Sequence, residues 1–200
     1  DYYHRPDPAT PLEETLRALE KLIAQGKVRY IGCSNMTGAQ IAEARRTANE
    51  NGLHRFIVAQ EQYNLLSRQV ESGMLPAIEA ERMSLIPYFP LASGMLTGKY
   101  KHGGPLPPGS RMTHKRYSDR FYNEENFSVV DKLRAFCAAR DRSLVELAFG
   151  WLLSKPVVGC VIAGASAPEQ VHQNAAALGW QLSDAEMAEV DRLTVKQKAA

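Results

Sequence analysis

The sequence predicts an α/β fold with parallel strands, and three observations carry that reading. Four short apolar runs, Tyr2-Tyr3, Val28-Arg29-Tyr30-Ile31, Phe56-Ile57-Val58-Ala59 and Leu85-Ile86, start roughly every 27 residues, and polar residues close them at His4, Ser34, Gln60 and Tyr88. A helix-like stretch separates each pair, as a parallel crossover requires. The cadence runs in one direction, which suits a (β/α)8 barrel of the TIM type. Five strands can be counted, against the eight such a barrel needs, so the expectation is an incomplete barrel lacking about three N-terminal βα units. An open five-stranded sheet is the other architecture with this count. Chemistry in parallel α/β folds collects at the carboxyl ends of strands, which would place the four polar side chains on one rim.

Asp1-Tyr2-Tyr3-His4 reads as a strand already under way. Thr10-Pro11-Leu12-Glu13 has the pattern of a capping box with proline at the first helical position. Leu12, Leu16, Leu19 and Ile23 then form a helical apolar stripe that Gly26 ends. The second strand follows, and Thr37-Gly38-Ala39-Gln40 starts a helix with Ile41, Ala44 and Ala48 inward, ending at Gly52. After the third strand a helix is expected from about Gln69 to Arg82, interrupted in pattern by Gly73 and Pro76. After the fourth, residues 89–126 are rich in glycine, proline and basic residues and are expected to be a long loop or lid. Helices near Phe127–Arg140 and Ser143–Ser154 follow. A fifth strand is expected over Val157–Ile162, then helices from Ala167 to Leu178 and from Ser183 to Leu193. Ser143, Ser166 and Ser183 each stand three residues before a glutamate, as in capping boxes. The whole, residues 1–200, is expected to be a single N-terminally truncated domain.

The 200 residues are 44% hydrophobic and 23% charged, enough apolar content for a continuous core. A net charge of +2 gives no general attraction to nucleic acid or to membranes. No run approaches the ~18 consecutive apolar residues of a membrane span, and no secretory leader is read at the start. Cys33, Cys137 and Cys160 match no metal spacing, and three unpaired thiols fit a reducing, cytoplasmic setting. No metal site is expected, and oligomeric state is not legible.

Each candidate site residue has both a chemical and a plain structural reading. His4 at a strand end can donate a hydrogen bond to a carbonyl oxygen or shuttle a proton, or be a surface or core residue. Ser34 and Asn35 offer donors and acceptors suited to an amide, or form a loop leading into a helix. Gln60 can share that grip or be a polar strand end. Tyr88 can stack on a flat heterocycle or pack in the core. Pro90-Leu91-Ala92-Ser93-Gly94 lets backbone approach phosphates, or makes a turn. Gly164-Ala165-Ser166, before a helix bearing Gln170, Gln173 and Asn174, suits phosphate binding at a helix N-terminus, with Ser166 also a cap. Neither a GxGxxG nor a Walker pattern is present, so a nucleotide would be held in another way.

Taken in order, these segments resemble the aldo-keto reductase superfamily. The stretches that carry the likeness are His4-Arg5-Pro6-Asp7-Pro8 with Pro11 through Thr15, Gly26 through Asn35, Gln60 through Leu66, Tyr88 through Gly94, Leu96 through Tyr100, and Gly164 through Asn174. The resemblance implies a (β/α)8 barrel that moves a hydride between NADPH and a carbonyl or alcohol. His4 matches the histidine that orients the substrate carbonyl. Ser34, Asn35 and Gln60 match the clamp on the nicotinamide carboxamide, and Tyr88 the ring stacked on the nicotinamide. Pro90, Leu91, Ala92 and Ser93 match the pyrophosphate lining, with Lys99 and Arg111 as phosphate partners. Gly164, Ser166, Gln170, Gln173 and Asn174 match the adenosine-phosphate end.

Two departures shape the expectation. The family's catalytic tyrosine, and the aspartate and lysine that tune it, lie on strands ahead of the histidine strand and are not among these residues. Gln170 stands where many members carry an arginine against the 2′-phosphate, so NADP(H) is expected, with NAD(H) as the alternative. The expected function is NADPH-dependent reduction of a small-molecule aldehyde or ketone, with this chain by itself inactive. The alternatives are a non-catalytic dinucleotide-binding regulator on the same fold, as in potassium-channel β subunits, where asparagine replaces the histidine, or an unstable fragment. Tyr117, Phe121 and Tyr122 in the long loop would line the pocket or pack the lid.

Overall fold

The computed structural model describes residues 1–194. They form two compact units. The first comprises residues 1–62, 69–88 and 156–160, and the second residues 63–68, 89–155 and 161–194.

The first unit is a parallel sheet of β1 (Tyr2–Tyr3), β2 (Gly32–Ser34), β3 (Val58–Gln62) and β4 (Ser84–Tyr88), in spatial order β1-β2-β3-β4. Helices α1 (Leu12–Ala24), α2 (Gly38–Glu50) and α3 (Met74–Ala80) make the crossovers. The register pairs Tyr3 with Cys33, Ser34 with Gln60, Gln60 with Ile86 and Gln62 with Tyr88. Period-two alternation buries Ala59, Glu61, Leu85 and Pro87 and leaves Gln60, Gln62, Ile86 and Tyr88 half-buried on the other face. Leu16, Ile41, Ala44, Ala48 and Ile78 supply the helices' share of the core. Gly32 answers a close approach: a Cβ there would lie 2.5 Å from Val58 Cγ1 and 2.8 Å from Tyr2 Cε1.

Several local expectations shift. The second strand begins at Gly32, after the apolar run Val28–Ile31, because pairing with β1 starts where the Gly32 N–H donates to the Asp1 carbonyl at 2.8 Å. Tyr30 in that run is 68% exposed. Thr10 does not cap α1. Its hydroxyl donates to Asp7 Oδ2 at 2.8 Å, and Pro11 occupies the N-cap without a capping side chain. Thr37, by contrast, forms its capping box with Gln40 in both directions. The helix expected over 69–82 is a 3₁₀ turn, Gln69–Ser72, followed by α3. The break falls at Gly73, whose carbonyl oxygen would sit 2.5 Å from a Cβ at Gly38. Pro76 fits within the first turn of α3, where its missing N–H costs nothing. The fifth strand reduces to one bridge between Val158 and Leu85. The Leu85 N–H donates to the Val157 carbonyl at 2.7 Å and the Gly159 N–H to the Leu85 carbonyl at 3.0 Å. Pro156 on one side and Gly159 on the other weaken any longer ladder.

The second unit is helical: α4 (Lys115–Phe121), α5 (Glu124–Ala138), α6 (Leu144–Leu153), α7 (Pro168–Ala176) and α8 (Asp184–Thr194). Its core gathers Phe121, Phe127, Leu133, Leu147, Trp151 and Val190, with Tyr63 tilted on Trp151 at 5.0 Å. α6 is apolar nearly all round, as a central helix must be. Gly150 within it is required, since a Cβ there would lie 2.5 Å from the Trp180 carbonyl oxygen. Ser143 and Ser183 form capping boxes with Glu146 and Glu186. Ser166 does not cap: Ala167 is the N-cap of α7, and Ser166 bonds the Gln170 side chain instead.

The 89–126 segment carries 3₁₀ turns at Ala92–Thr97 and Arg111–Thr113, then α4. It is anchored by buried Tyr100, Met112 and Phe121, and by the Tyr122 hydroxyl, which donates toward the carbonyls of Lys101 and Gly104 at 3.3 Å each.

Candidate functional site

In the first unit, the side chains of Ser34 and Tyr88 and the main chain of His4 converge on Asn35. Asn35 follows β2 with φ 57°, a left-handed conformation that asparagine tolerates better than most residues. Its amide nitrogen donates to the His4 carbonyl and to Ser34 Oγ, both at 2.9 Å. Its Oδ1 accepts from the Tyr88 hydroxyl at 3.1 Å. Ser34, 1% exposed, gives its own proton to the Gln60 carbonyl at 2.6 Å. Both amide hydrogens of Asn35 are therefore spent, while Oδ1 keeps a second lone pair. The His4 side chain is exposed, and this cluster is tied to its main chain.

Tyr2, on the first strand, belongs beside this group. Its hydroxyl bonds the Gln60 side chain, and burial followed by the nearby Cys160 thiol pushes its ionisation above the usual phenol range. Sequence alone carried a signal for it: Tyr2 and His4 share a strand face.

Glu61 is the functional candidate that sequence reasoning missed. It is 7% exposed and sits on the face of β3 opposite Gln60. Its Oε1 accepts the Met36 N–H at 3.3 Å, and the Asn35 N–H also bonds this carboxylate. Burial pushes its pKa up to about 7 against those two bonds. Cys33, on the same side, is pushed up to about 12, by burial first and then by the Glu61 charge. The signal was an acid at a strand position where alternation demands an apolar residue.

In the second unit, the chain after β4 turns through successive left-handed residues, Ala92 (φ 46°), Ser93 (φ 56°) and Gly94 (φ 99°), just after Pro90 and Leu91. Ser93 is buried and its Oγ has no protein partner. Within this run the Ala92 N–H donates to the Phe89 carbonyl at 2.9 Å and the Gly94 N–H to the Leu91 carbonyl at 2.8 Å. Lys99 lies across Gly94, where a Cβ would come within 3.2 Å of its Nζ. The Arg111 guanidinium lies against Gly164, 3.0 Å from the position of a Cβ. The Ser166 N–H and hydroxyl both reach Gln170 Oε1, at 2.8 and 3.2 Å. Gln173 is exposed and Asn174 half-buried on α7. Phe121 packs in the core, and Tyr117 sets its edge against Phe89 at 6.0 Å.

The sequence matches the Aldo/keto reductase family over residues 2–195. It is 40% identical over 181 residues to a probable voltage-gated potassium channel subunit beta of Oryza sativa subsp. japonica, covering 88% of this chain and 55% of that protein. It is 33% identical over 198 residues to L-glyceraldehyde 3-phosphate reductase of Escherichia coli (strain K12), covering 96% and 56%. With aflatoxin B1 aldehyde reductase member 2 of Homo sapiens it shares 35% identity over 191 residues, covering 88% and 53%. The chain spans about half the length of the curated relatives it matches.

Proposed function

Because the chain belongs to the aldo/keto reductase family, we propose that it is part of an NADPH-dependent oxidoreductase that reduces aldehydes or ketones to alcohols. The observation that carries this reading is the polar cluster around Asn35 at the carboxyl ends of adjacent parallel strands. A carboxamide needs one acceptor for its N–H and one donor for its carbonyl. The second lone pair of Asn35 Oδ1 and the Gln60 amide meet that need, with Ser34 bracing both. NADPH, when bound, supplies the hydride. Tyr88 would offer its ring face to the nicotinamide and hold Asn35 by its hydroxyl. His4 would donate to the substrate carbonyl oxygen and orient it.

The phosphate-bearing groups are assigned to the second unit. Pro90, Leu91, Ala92 and Ser93 would line the pyrophosphate, with the Ser93 hydroxyl as a donor and Lys99 and Arg111 neutralising charge. The unpartnered Ser93 Oγ supports this fit, as does the Arg111 guanidinium over bare Gly164. Gly164, Ser166, Gln170, Gln173 and Asn174 would take the adenosine end. NADP(H) is the preferred cofactor and NAD(H) the alternative, because Gln170 brings no charge to a 2′-phosphate. The proton for the carbonyl oxygen is assigned to a tyrosine outside residues 1–200, so these residues bind cofactor without turnover.

The cytoplasm is the proposed location, supported by three free cysteines. Among the described residues no helix is long and apolar enough to cross a membrane. Similarity to named channel β subunits favours one second reading, a cofactor-binding regulator. His4 favours the reductase.

The test is NADPH titration of this chain, followed by quenching of Trp151 and Trp180 fluorescence. Saturable binding is expected, weakened at least ~10-fold by the double substitution Ser34→Ala and Gln60→Ala, as loss of about two hydrogen bonds implies. Absence of saturable binding to the folded wild-type chain would overturn the assignment.

A further inference from the structure

Two consecutive residues of β3 grip the turn after β2 from opposite faces of the sheet. On one face the Ser34 hydroxyl donates to the Gln60 carbonyl at 2.6 Å. On the other the Met36 N–H donates to Glu61 Oε1 at 3.3 Å, and the Asn35 N–H joins it. Between these grips lies Asn35 in its left-handed conformation. A carboxylate on a buried face is costly unless hydrogen-bonded, and consecutive N–H groups beside a left-handed residue form a natural anion seat. An apolar residue at position 61 would pack with Ala59 and Leu85 at no such cost but would leave two N–H groups unmet.

We propose that Glu61 is a positioning residue for the cofactor clamp, holding the Ser34-Asn35-Met36 turn in the conformation that aims the Asn35 amide between His4, Ser34 and Tyr88. The inference rests on the reading of Ser34, Asn35, Gln60 and Tyr88 as the carboxamide clamp. Glu61 touches no substrate or cofactor in this role, because it lies behind the sheet. It acts only through the Asn35 turn.

The test compares wild type, Glu61→Ala and Glu61→Gln, by NADPH titration and by amide hydrogen exchange, at a temperature where each is folded. Glu61→Ala is expected to weaken NADPH binding by about tenfold or more and to speed exchange at Asn35 and Met36. Glu61→Gln keeps an acceptor oxygen and is expected to restore binding to within about threefold of wild type. A merely structural role would lower the melting temperature of Glu61→Ala without moving the affinity of its folded form. If Glu61→Ala does not fold, Glu61→Asp, with the same charge but a shorter reach, carries the same prediction as Glu61→Ala. Folded Glu61→Ala or Glu61→Asp binding NADPH as wild type does would overturn the positioning role and leave the clamp standing. Wild-type chain that binds no NADPH would overturn both.

Discussion

Glu61 is the group whose charge state matters most at the residue scale. Its pKa is raised to about 7 in the folded chain by burial, above the ordinary 4.5. The folded state therefore binds more protons than the unfolded state between those values, and stability falls as pH rises through that window. Glu61→Gln removes this cost. It is expected to raise the melting temperature relative to wild type at about pH 8 and to leave it little changed at about pH 5, with a free-energy difference of at most a few kcal/mol. Thermal melts at the two pH values check it, and an equal effect at both would refute the linkage. The cysteines give a second residue-scale prediction. Burial pushes Cys33 and Cys137 up to about 12, while Cys160 is exposed. Since the thiolate is the reactive form, iodoacetamide at neutral pH should label Cys160 alone, read by peptide mass spectrometry.

Helix starts are where element-scale stability can be tested. Thr37 and Ser143 form reciprocal capping boxes, whereas Thr10 spends its hydroxyl on Asp7 and Ser166 spends its own on Gln170. Thr37→Ala and Ser143→Ala should each cost about 1 kcal/mol in urea denaturation, as capping losses usually do. Ser166→Ala should cost α7 no cap. Gly150→Ala should cost more than either, because its Cβ would meet the Trp180 main chain, which cannot move aside as a flexible side chain can. The same contrast explains the misread elements. Capping patterns written in sequence are offers, and a neighbouring side chain such as Asp7 can take the hydroxyl first.

At the scale of the whole molecule, the chain matches the family from Tyr2 nearly to its end while covering about half of each curated relative. Binding and turnover are therefore predicted to separate. Residues 1–200 should quench on NADPH addition yet show no carbonyl-dependent loss of NADPH absorbance. A longer chain that includes the strands ahead of His4 should show both. Turnover by residues 1–200 would place the proton donor among them and refute that assignment.

Sequence by itself determined the parallel α/β class and the order of the four paired strands and their crossover helices, and it marked His4, Ser34, Gln60 and Tyr88 as candidate rim residues. These follow from local chemistry: alternation, capping patterns and the length of chain a crossover needs. It also marked Asn35, Arg111 and Gly164, but as separate motifs. Tertiary structure decided what each side chain does with its hydrogen bonds. Only the register of β2 on β3 puts the Ser34 hydroxyl on the Gln60 carbonyl, and only the left-handed turn at Asn35 brings its amide to His4 and Tyr88. The loss of the fifth strand to a single bridge and the break at Gly73 were decided in the same way, by partners far away in sequence. Glu61 is the sharpest case. Its value lies in two N–H groups some 25 residues upstream, a relation set by the packing of strands and invisible to any local pattern.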